Sequence, residues 1–395
     1  MFSASSSRNL QRAIAAALSI ALVLGLCLPE PAALAQGYQA YLPTVRTTHT
    51  AILSLSCPTT SEPHPPAGAS PSIRRSTSAD GLPSTAAQTT FVKVNGPDFV
   101  LNGEPYRFVG VNASYLAGPF FPEEEALPMI PALAARGVQV VRIWVEPWCD
   151  PDRLERLLDL GGQHNLRFIV TLQNFFAQLD GNWFRGRYES VDLPHIRNLV
   201  PRFAGRPEIL MWELMNEPTC PSGDEGADCW DALVRWAEVT SSEIKSLDAN
   251  HLVSVGTQRS DGRETSLLAF QRLHSLPSID VISAHCSVGS LESDGLVGEL
   301  AIARELGKPM YLGELFYVGQ DESCIPLGEE VLQQRARAVE QDLVLSRELG
   351  IQGYVLWEYA YRGGVDMGSH LQYFCSVFGY YDDDPVWQVF RQVAR

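Results

Sequence analysis

Strand-like and helix-like segments alternate along this chain from residue 107 to its end, and this alternation constrains the fold more than any other feature. Eight short apolar runs have the pattern of strands that are covered on both faces. They lie at 107–112, 138–145, 166–174, 208–216, 252–257, 279–285, 311–316 and 353–359. A run with helical periodicity follows each, near 124–136, 151–163, 191–204, 230–247, 265–275, 293–306 and 328–349, and from 385 onwards. The alternation predicts repeated β–α units with parallel strands.

Eight strands, each followed by a helix, predict an α/β fold of the (β/α)8 or TIM barrel type. A doubly wound open sheet is the alternative, but the chain has no glycine-rich dinucleotide fingerprint to support it. Two further short strands, 91–95 and 99–102, flank a Gly96-Pro97 turn. They predict a short N-terminal β-hairpin that caps the barrel.

The N-terminus has the features of a targeting segment. Arg8 and Arg12 precede an apolar stretch at 13–28, and Ala33-Leu34-Ala35 has the form of a cleavage site. An uncleaved membrane anchor is the alternative, but the apolar stretch is short for a bilayer span. Residues 1–35 are therefore predicted to be a signal peptide. We expect a secreted, extracellular chain with no membrane partner after cleavage.

The segment after the predicted cleavage site differs in composition from the rest of the chain. Residues 36–90 are rich in Pro, Ser, Thr and Ala and poor in large apolar side chains. Such a segment cannot bury enough apolar surface to offset the entropy of ordering it. We therefore predict a disordered linker at 36–90 and a folded domain at 91–395.

Seven of the eight cysteines remain after the predicted cleavage, because Cys27 lies in the signal peptide. An exported chain meets oxidising conditions, so disulfides are permitted. Cys220 and Cys229 flank a short loop-like insert and form the first predicted pair, with Cys324 and Cys375 as a weaker second one. An odd count leaves at least one thiol unpaired within the chain.

Charge and motifs exclude several classes of function. The formal net charge is −16, whereas nucleic-acid binders need a basic surface. The sequence lacks a phosphate-binding loop, a serine-hydrolase elbow and a histidine pair at metal-site spacing. We therefore predict no cofactor, no metal and no nucleic-acid partner. A neutral ligand such as a sugar is compatible with this charge.

Polar and aromatic side chains occur in or near the C-terminal ends of six predicted strands, where (β/α)8 barrels carry their active sites. These side chains are Arg142, Asn174, Asn216 with Glu217, His285, Glu314 and Trp357. The two glutamates belong to the fourth and seventh strands, on opposite sides of the barrel. Retaining glycoside hydrolysis needs two such carboxyl groups. A buried network of the two glutamates with Arg142 is the structural alternative.

These residues lie in segments that resemble glycoside hydrolase family 5, a family of retaining (β/α)8 enzymes. The resembling segments are 141–144 (VRIW), 212–218 (WELMNEP), 308–314 (KPMYLGE) and 356–359 (LWEY). The N-terminal hairpin, with FVK at 91–93 and FVLNG at 99–103, resembles the entry hairpin of the family's endo-β-1,4-mannanases. The resemblance covers the chain from about residue 91 to its end.

The resemblance implies a role for each matching residue. Glu217 corresponds to the acid/base and Glu314 to the nucleophile of the family. Asn216 corresponds to the residue that binds the sugar 2-hydroxyl, and Arg142 to the arginine that keeps the nucleophile ionised. His285 corresponds to a substrate-binding histidine, with a core histidine as the alternative. Trp357 corresponds to the platform under the −1 sugar, with core packing as the alternative. Asn174 is assigned to substrate binding from its position at the end of the third predicted strand, not from the resemblance.

The chain departs from the family pattern after His285. The family usually has a His-x-Tyr sequence there, whereas this chain has His285-Cys286-Ser287. The tyrosines that can replace the missing one are Tyr317, Tyr359 and Tyr361. Trp148 and Trp183 follow the second and third strands and are assigned either to sugar stacking or to packing.

Two classes of function follow from these observations. The first is a secreted retaining endo-glycosidase that acts on a β-1,4-linked polysaccharide, with mannan preferred and cellulose as the runner-up. The second is a carbohydrate-binding protein on an inactive barrel, suggested by the missing tyrosine. Two facing carboxylates repel each other, and a protein that only binds has no need of them. The enzyme is therefore favoured, as a monomer with polysaccharide as its partner.

Overall fold

A computed structural model describes residues 90–119, 121–174, 177, 180–220, 226–258, 264–317, 328–360 and 379–393. The predicted signal peptide, the predicted linker up to residue 89, the Cys324–Cys375 pair and Tyr361 lie outside these residues. Those expectations therefore stay predictions.

A small antiparallel sheet precedes the barrel. It contains β1 (Lys93–Asn95), β2 (Asp98–Leu101) and β3 (Glu104–Tyr106) in that order. The predicted hairpin is present, but β3 was missed, because it is short, largely exposed and contains Pro105. Asn102 and Gly103 both have positive φ values, 57° and 86°, as a tight two-residue hairpin turn requires.

Eight parallel strands form the main sheet. They are β4 (Phe108–Asn112), β5 (Val140–Trp144), β6 (Arg167–Thr171), β7 (Ile209–Glu213), β8 (Leu252–Ser254), β9 (Ile282–Ser287), β10 (Met310–Phe316) and β11 (Gly353–Leu356). The first strand, β4, pairs with the last, β11, and a bridge between Ser254 and Val281 links β8 to the segment before β9. The strands therefore form a nearly closed ring, and the (β/α)8 barrel is confirmed over the open sheet.

Helices lie between the strands as predicted. They are α1 (Glu123–Ala135), α2 (Pro151–Gln163), α3 (Tyr188–Phe203), α4 (Ala227–Leu247), α5 (Glu264–His274), α6 (Asp294–Leu306), α7 (Glu329–Leu349) and α8 (Val386–Val393). At α2, the Asp150 side chain caps the Asp152 N–H at 3.0 Å, and Pro151 occupies the first turn. Within the described part of the chain, no helix is both long and apolar enough to cross a bilayer.

The core has two parts, one outside and one inside the strand ring. The larger part packs the outer faces of the strands against the helices. The smaller part fills the N-terminal end of the barrel, where Phe99 and Val92 of the N-terminal sheet segment pack with Phe108 and Tyr311. The ring centroids of Phe99 and Phe108 lie 5.8 Å apart. The small sheet therefore closes the N-terminal end, which leaves the C-terminal end for chemistry.

Lys308, which follows α6, connects it to the end of α5 through three hydrogen bonds to backbone carbonyls. Its Nζ donates to the carbonyls of His274 (2.5 Å), Leu276 (2.9 Å) and Ile279 (2.6 Å). Burial lowers the pKa of Lys308, and Asp280 partly opposes this effect. One ammonium group thus satisfies the carbonyls of His274 and Ile279, which the local helix and turn leave without partners, and adds a second bond to the Leu276 carbonyl, which also accepts from the Ile279 N–H.

We expect Lys308→Met to lower the free energy of unfolding by about 2–4 kcal/mol, since it leaves the carbonyls of His274 and Ile279 without a donor. Thermal melting should show a clear fall in Tm. Lys93→Met is the matched control, because Lys93 makes one exposed bond to the Asn250 carbonyl. Equal melting temperatures for the two variants would contradict this account of Lys308.

Candidate active site

Arg142 lies at the centre of a buried polar network inside the barrel. It sits in the middle of β5 and has no exposed surface. Its Nε donates to Glu213 Oε1 at 2.7 Å, and its Nη2 lies within ion-pair distance of the same oxygen, at 2.6 Å. Nη2 also donates to Asn216 Oδ1 at 2.8 Å, and Nη1 donates to Asn112 Oδ1 and Glu314 Oε1 at 2.9 and 2.6 Å. These hydrogen bonds use all three nitrogens of the guanidinium as donors.

Glu213 is part of this network although sequence analysis gave it no role. Its Oε1 also accepts from Thr171 at 2.8 Å, and its Oε2 accepts from Ser254 at 3.2 Å and from the Tyr311 hydroxyl. Burial opposes its ionisation, but Arg142 and the hydrogen bonds outweigh burial and lower the pKa of Glu213. Side chains two residues apart in a strand point to the same face, so Glu213 shares the inner face of β7 with the buried Met211. A charged residue at such a position is the signal that sequence analysis missed.

Glu217 lies beyond strand β7, which ends at Glu213 rather than at the predicted Asn216. After Glu213 the backbone makes isolated hydrogen bonds to neighbouring segments. One of them is from the Glu217 N–H to the Gly256 carbonyl, at 2.8 Å. Glu217 has a φ of 51°, a left-handed conformation that costs a non-glycine residue about 1–2 kcal/mol. The backbone at Met215 and Glu217 can come this close to residue 256 only because residue 256 is glycine: a Cβ there would lie 2.0 Å from the Met215 carbonyl oxygen. The surrounding backbone therefore holds Glu217 in place.

His285 and the two predicted catalytic glutamates meet at one point. His285 lies inside β9, and its Nδ1 is 2.9 Å from Glu217 Oε1 and 3.6 Å from Glu314 Oε2. One atom from each of the three residues lies within 4.8 Å of the others. This spacing is close to the ~5–5.5 Å between carboxyl groups in retaining glycosidases and well below the ~6.5–9.5 Å in inverting ones. The same three atoms are also the set, among the described residues, that could hold a metal ion.

The electrostatics of Glu314 differ from the expectation that Arg142 keeps it readily ionised. Burial raises the pKa of Glu314, His285 and Arg142 oppose this, and Glu217 adds to it. Burial is the largest cause, and Arg142, which also pairs with Glu213, does not outweigh it. The carboxylate of this network whose pKa is lowered is Glu213, not Glu314.

The other predicted site residues occupy different surroundings. Trp357 is partly buried, and its ring centroid lies 5.8 Å from that of Trp144. Asn174 is buried three residues after β6, and its N–H donates to the Gln173 side chain at 3.0 Å. Trp148 is partly buried against the outer core. Trp183 is buried in that core, which favours packing over sugar stacking for this residue.

Among the tyrosines that the structure describes, none donates a hydrogen bond to Glu314. Among the described residues, the side chains within ion-pair distance of Glu314 are Arg142 and His285. The Tyr359 hydroxyl instead donates to Asp382 at 2.5 Å, and Tyr317 is partly buried just after β10. The tyrosine that does reach the network, Tyr311, donates to Glu213.

Two further buried acids lie near the same rim of the barrel. Glu358 follows Trp357 and accepts from the Ser114 hydroxyl at 3.0 Å. Burial raises its pKa to about 8, the Ser114 bond opposes this, and the charge of Glu314 adds to it. Glu146 lies two residues after β5, and burial raises its pKa to about 8. Burial therefore favours the protonated form of both carboxyl groups, and neither was predicted as a site residue.

The predicted disulfide between Cys220 and Cys229 is confirmed. It joins the segment just after Glu217 to the first turn of α4, with the two Cα atoms 6.0 Å apart. The side chains of Cys149 and Cys286 are also buried.

Comparisons with known proteins point to the same family as the motifs. Residues 198–295, which include Glu217 and His285, match the sequence model described as GH family 5 beta-mannosidase-like. The chain is 23% identical over 321 residues to mannan endo-1,4-beta-mannosidase A of Podospora anserina, covering 68% of this chain and 82% of that protein. It is 26% identical over 212 residues to a probable mannan endo-1,4-beta-mannosidase F of Neosartorya fischeri, covering 43% of this chain. The chain spans less than half of that relative's length, at 45%.

The fold is also found in a solved structure. The endo-1,4-beta-mannanase of Rhizomucor miehei superposes with a TM-score of 0.62 at 20% identity, covering 77% of this chain and 98% of that one. At this identity the likeness concerns the fold. Together with the family match and the two relatives, it confirms the resemblance of this chain to glycoside hydrolase family 5, and within that family to the endo-β-1,4-mannanases.

Proposed function

We propose that this chain is a secreted retaining endo-β-1,4-mannanase. The observation that carries the proposal is the position of Glu217 and Glu314, which approach within 4.8 Å at the C-terminal end of the barrel. A double displacement needs this short separation, because one carboxyl group attacks the anomeric carbon while the other protonates the leaving oxygen. The mannanase relatives support mannan as the substrate.

In this mechanism Glu314 is the nucleophile and Glu217 is the acid/base. A Glu314 oxygen bonds to the anomeric carbon as the glycosidic bond breaks, and the leaving oxygen takes the electron pair and a proton from Glu217. Glu217 then removes a proton from water, which displaces Glu314 from the sugar. Glu314 must be ionised for the first step, and Glu217 must carry its proton.

The neighbouring residues position these groups and the substrate. Arg142 donates to both Glu314 and Asn216, so it fixes the relative positions of the nucleophile and the side chain proposed to bind the sugar 2-hydroxyl. His285 contacts Glu217 from the floor of the site. Trp357, supported by Trp144, is proposed as the platform under the −1 sugar, and Asn174 and Trp148 as further contacts.

A cellulase of the same family is the runner-up, and an inactive barrel that binds carbohydrate is the remaining alternative. The proposed test is a panel of β-mannan, glucomannan, carboxymethylcellulose and xylan with reducing-sugar detection. We expect the highest kcat/KM on mannan or glucomannan, and NMR should show the β-anomer as the first product. Highest activity on carboxymethylcellulose would replace mannan by cellulose, and a first-formed α-anomer would contradict double displacement.

The domain boundaries are part of the same proposal. We propose that residues 91–395 form the catalytic domain and that residues 1–90 add no activity. The panel is therefore run on the mature chain and on a chain that begins at Thr90. Equal kcat/KM values are expected, and a large loss in the shorter chain would show that the preceding segment supports the barrel.

A further inference from the structure

Glu213 is a buried carboxylate that the double displacement does not use, yet it shares Arg142 with the proposed nucleophile. Glu213 Oε1 accepts from Nε of Arg142 and lies 2.6 Å from Nη2, while Glu314 Oε1 accepts from Nη1. Arg142 and Glu213 have no exposed surface. A single guanidinium therefore serves as the counter-ion for two carboxylates.

The partners of Glu213 fix its position. Oε1 accepts from Thr171 as well as from Arg142, and Oε2 accepts from Ser254 and Tyr311. These donors come from β6, β8 and β10, so the neighbouring and facing strands hold the carboxylate. Buried groups with this many partners have little freedom to turn, which makes Glu213 a rigid support for the arginine.

The charge of Glu314 disappears during the reaction. When its oxygen bonds to the anomeric carbon, the carboxylate becomes an ester and no longer balances Arg142. A buried guanidinium without a counter-ion is strongly unfavourable. Glu213 does not change its bonding in this step, so it remains to balance Arg142 in the covalent intermediate.

We propose that Glu213 is a positioning residue of the reaction, an inference that rests on the proposed function. It holds Arg142 in the orientation that serves Glu314 and Asn216, and it remains the counter-ion of Arg142 while Glu314 is esterified. The raised pKa of Glu314 agrees with a cation that is divided between two carboxylates. A purely structural Glu213 would affect folding but neither the pH profile nor the rate of the folded enzyme.

The test is Glu213→Gln, which keeps the shape of the side chain and removes its charge. We expect kcat on mannan to fall about 10- to 100-fold, because the intermediate loses the counter-ion of Arg142. KM should change little. The acidic limb of the kcat/KM profile should move to lower pH, because Arg142 then faces Glu314 alone.

Asp248→Asn is the matched control. Asp248 is also buried and accepts from the Trp212 ring N–H at 2.8 Å and from His251 at 2.5 Å, but it lies before β8, at the other end of the barrel. This control should lower Tm and leave the acidic limb in place. A folded Glu213→Gln enzyme with wild-type kcat and an unmoved acidic limb would overturn the proposal.

Two further measurements keep the proposal testable if Glu213→Gln folds poorly. Glu213→Asp keeps the buried negative charge but moves it away from Arg142. We therefore expect kcat to fall while the acidic limb of the pH profile stays in place. A wild-type kcat in this variant would contradict the role of Glu213 in positioning Arg142. In the Glu314→Ala background, which mimics the loss of the nucleophile's charge, Glu213→Gln should lower Tm by more than it does in the wild type. If the Tm changes of the two substitutions were simply additive, Arg142 would not be shared between Glu213 and Glu314. This comparison of melting temperatures does not need activity, so it remains informative if the proposed function is wrong.

Discussion

Glu314→Ala is expected to lower kcat by about a thousandfold or more on every substrate, because it removes the group that forms the covalent intermediate. The loss should be the same on polysaccharide and on an aryl glycoside with a good leaving group, since both need the nucleophile in the first step. Steady-state kinetics on the two substrates measures this. Arg142 retains Glu213 as its counter-ion in the variant, so we expect the protein to fold.

The control for Glu314→Ala is Glu305→Ala, a change of the same residue type outside the barrel interior, on α6. It should leave kcat within about twofold, as surface changes usually do. A Glu314→Ala enzyme that keeps more than a tenth of the wild-type kcat would remove Glu314 from the role of nucleophile.

The pH profile of the wild-type enzyme gives an independent check on the same residue. Burial raises the pKa of Glu314, and only its ionised form can attack. Activity should therefore be lost as pH falls through this raised pKa, at a higher pH than the ordinary glutamate value of about 4.3 would give. The acidic limb of a plot of kcat/KM against pH measures this, and a limb at the ordinary glutamate value would contradict the raised pKa of Glu314.

The barrel could be predicted from the sequence because its strands are covered on both faces and its helices are amphipathic. Each of the eight predicted strands overlaps an observed one, and the errors lie at the strand ends. The predicted strand at 208–216 ends at Glu213. The backbone N–H groups of the following residues donate isolated hydrogen bonds to two different segments, 254–256 and Gln173, so no continuous ladder forms. The apolar pattern does not report this change, since Leu214 and Met215 are buried as well.

The candidate site could be predicted in part, because polar residues at strand ends must meet at one end of a barrel. Arg142, Asn216, Glu217, His285 and Glu314 do meet there. Glu213 and Asn112 were not identified, because strand alternation can indicate which way a side chain points but not which partners it reaches. Trp183 shows the same limit, since sequence alone cannot separate a loop tryptophan that stacks on sugars from one that packs in the core.

Glu217→Ala is expected to differ in kind from Glu314→Ala. Activity on mannan should fall by about a hundredfold or more, because the alkoxide leaving group then departs without a proton. On 2,4-dinitrophenyl β-mannobioside, whose leaving group needs no proton, Glu314 should still form the covalent intermediate. The first step should therefore persist as a burst of dinitrophenol in stopped-flow measurements, followed by slow turnover, since no base activates water in the second step.

Added azide should restore turnover of Glu217→Ala on the activated substrate, because this anion attacks without a general base. The product should be the β-glycosyl azide, since the first displacement inverts the anomeric centre and azide inverts it again. Glu314→Ala is the matched comparison: without the covalent intermediate, any azide product should form by direct displacement and have the α configuration. If the two variants gave the same product, or if azide left the Glu217→Ala rate unchanged, the assignment of Glu217 as acid/base and Glu314 as nucleophile would be wrong.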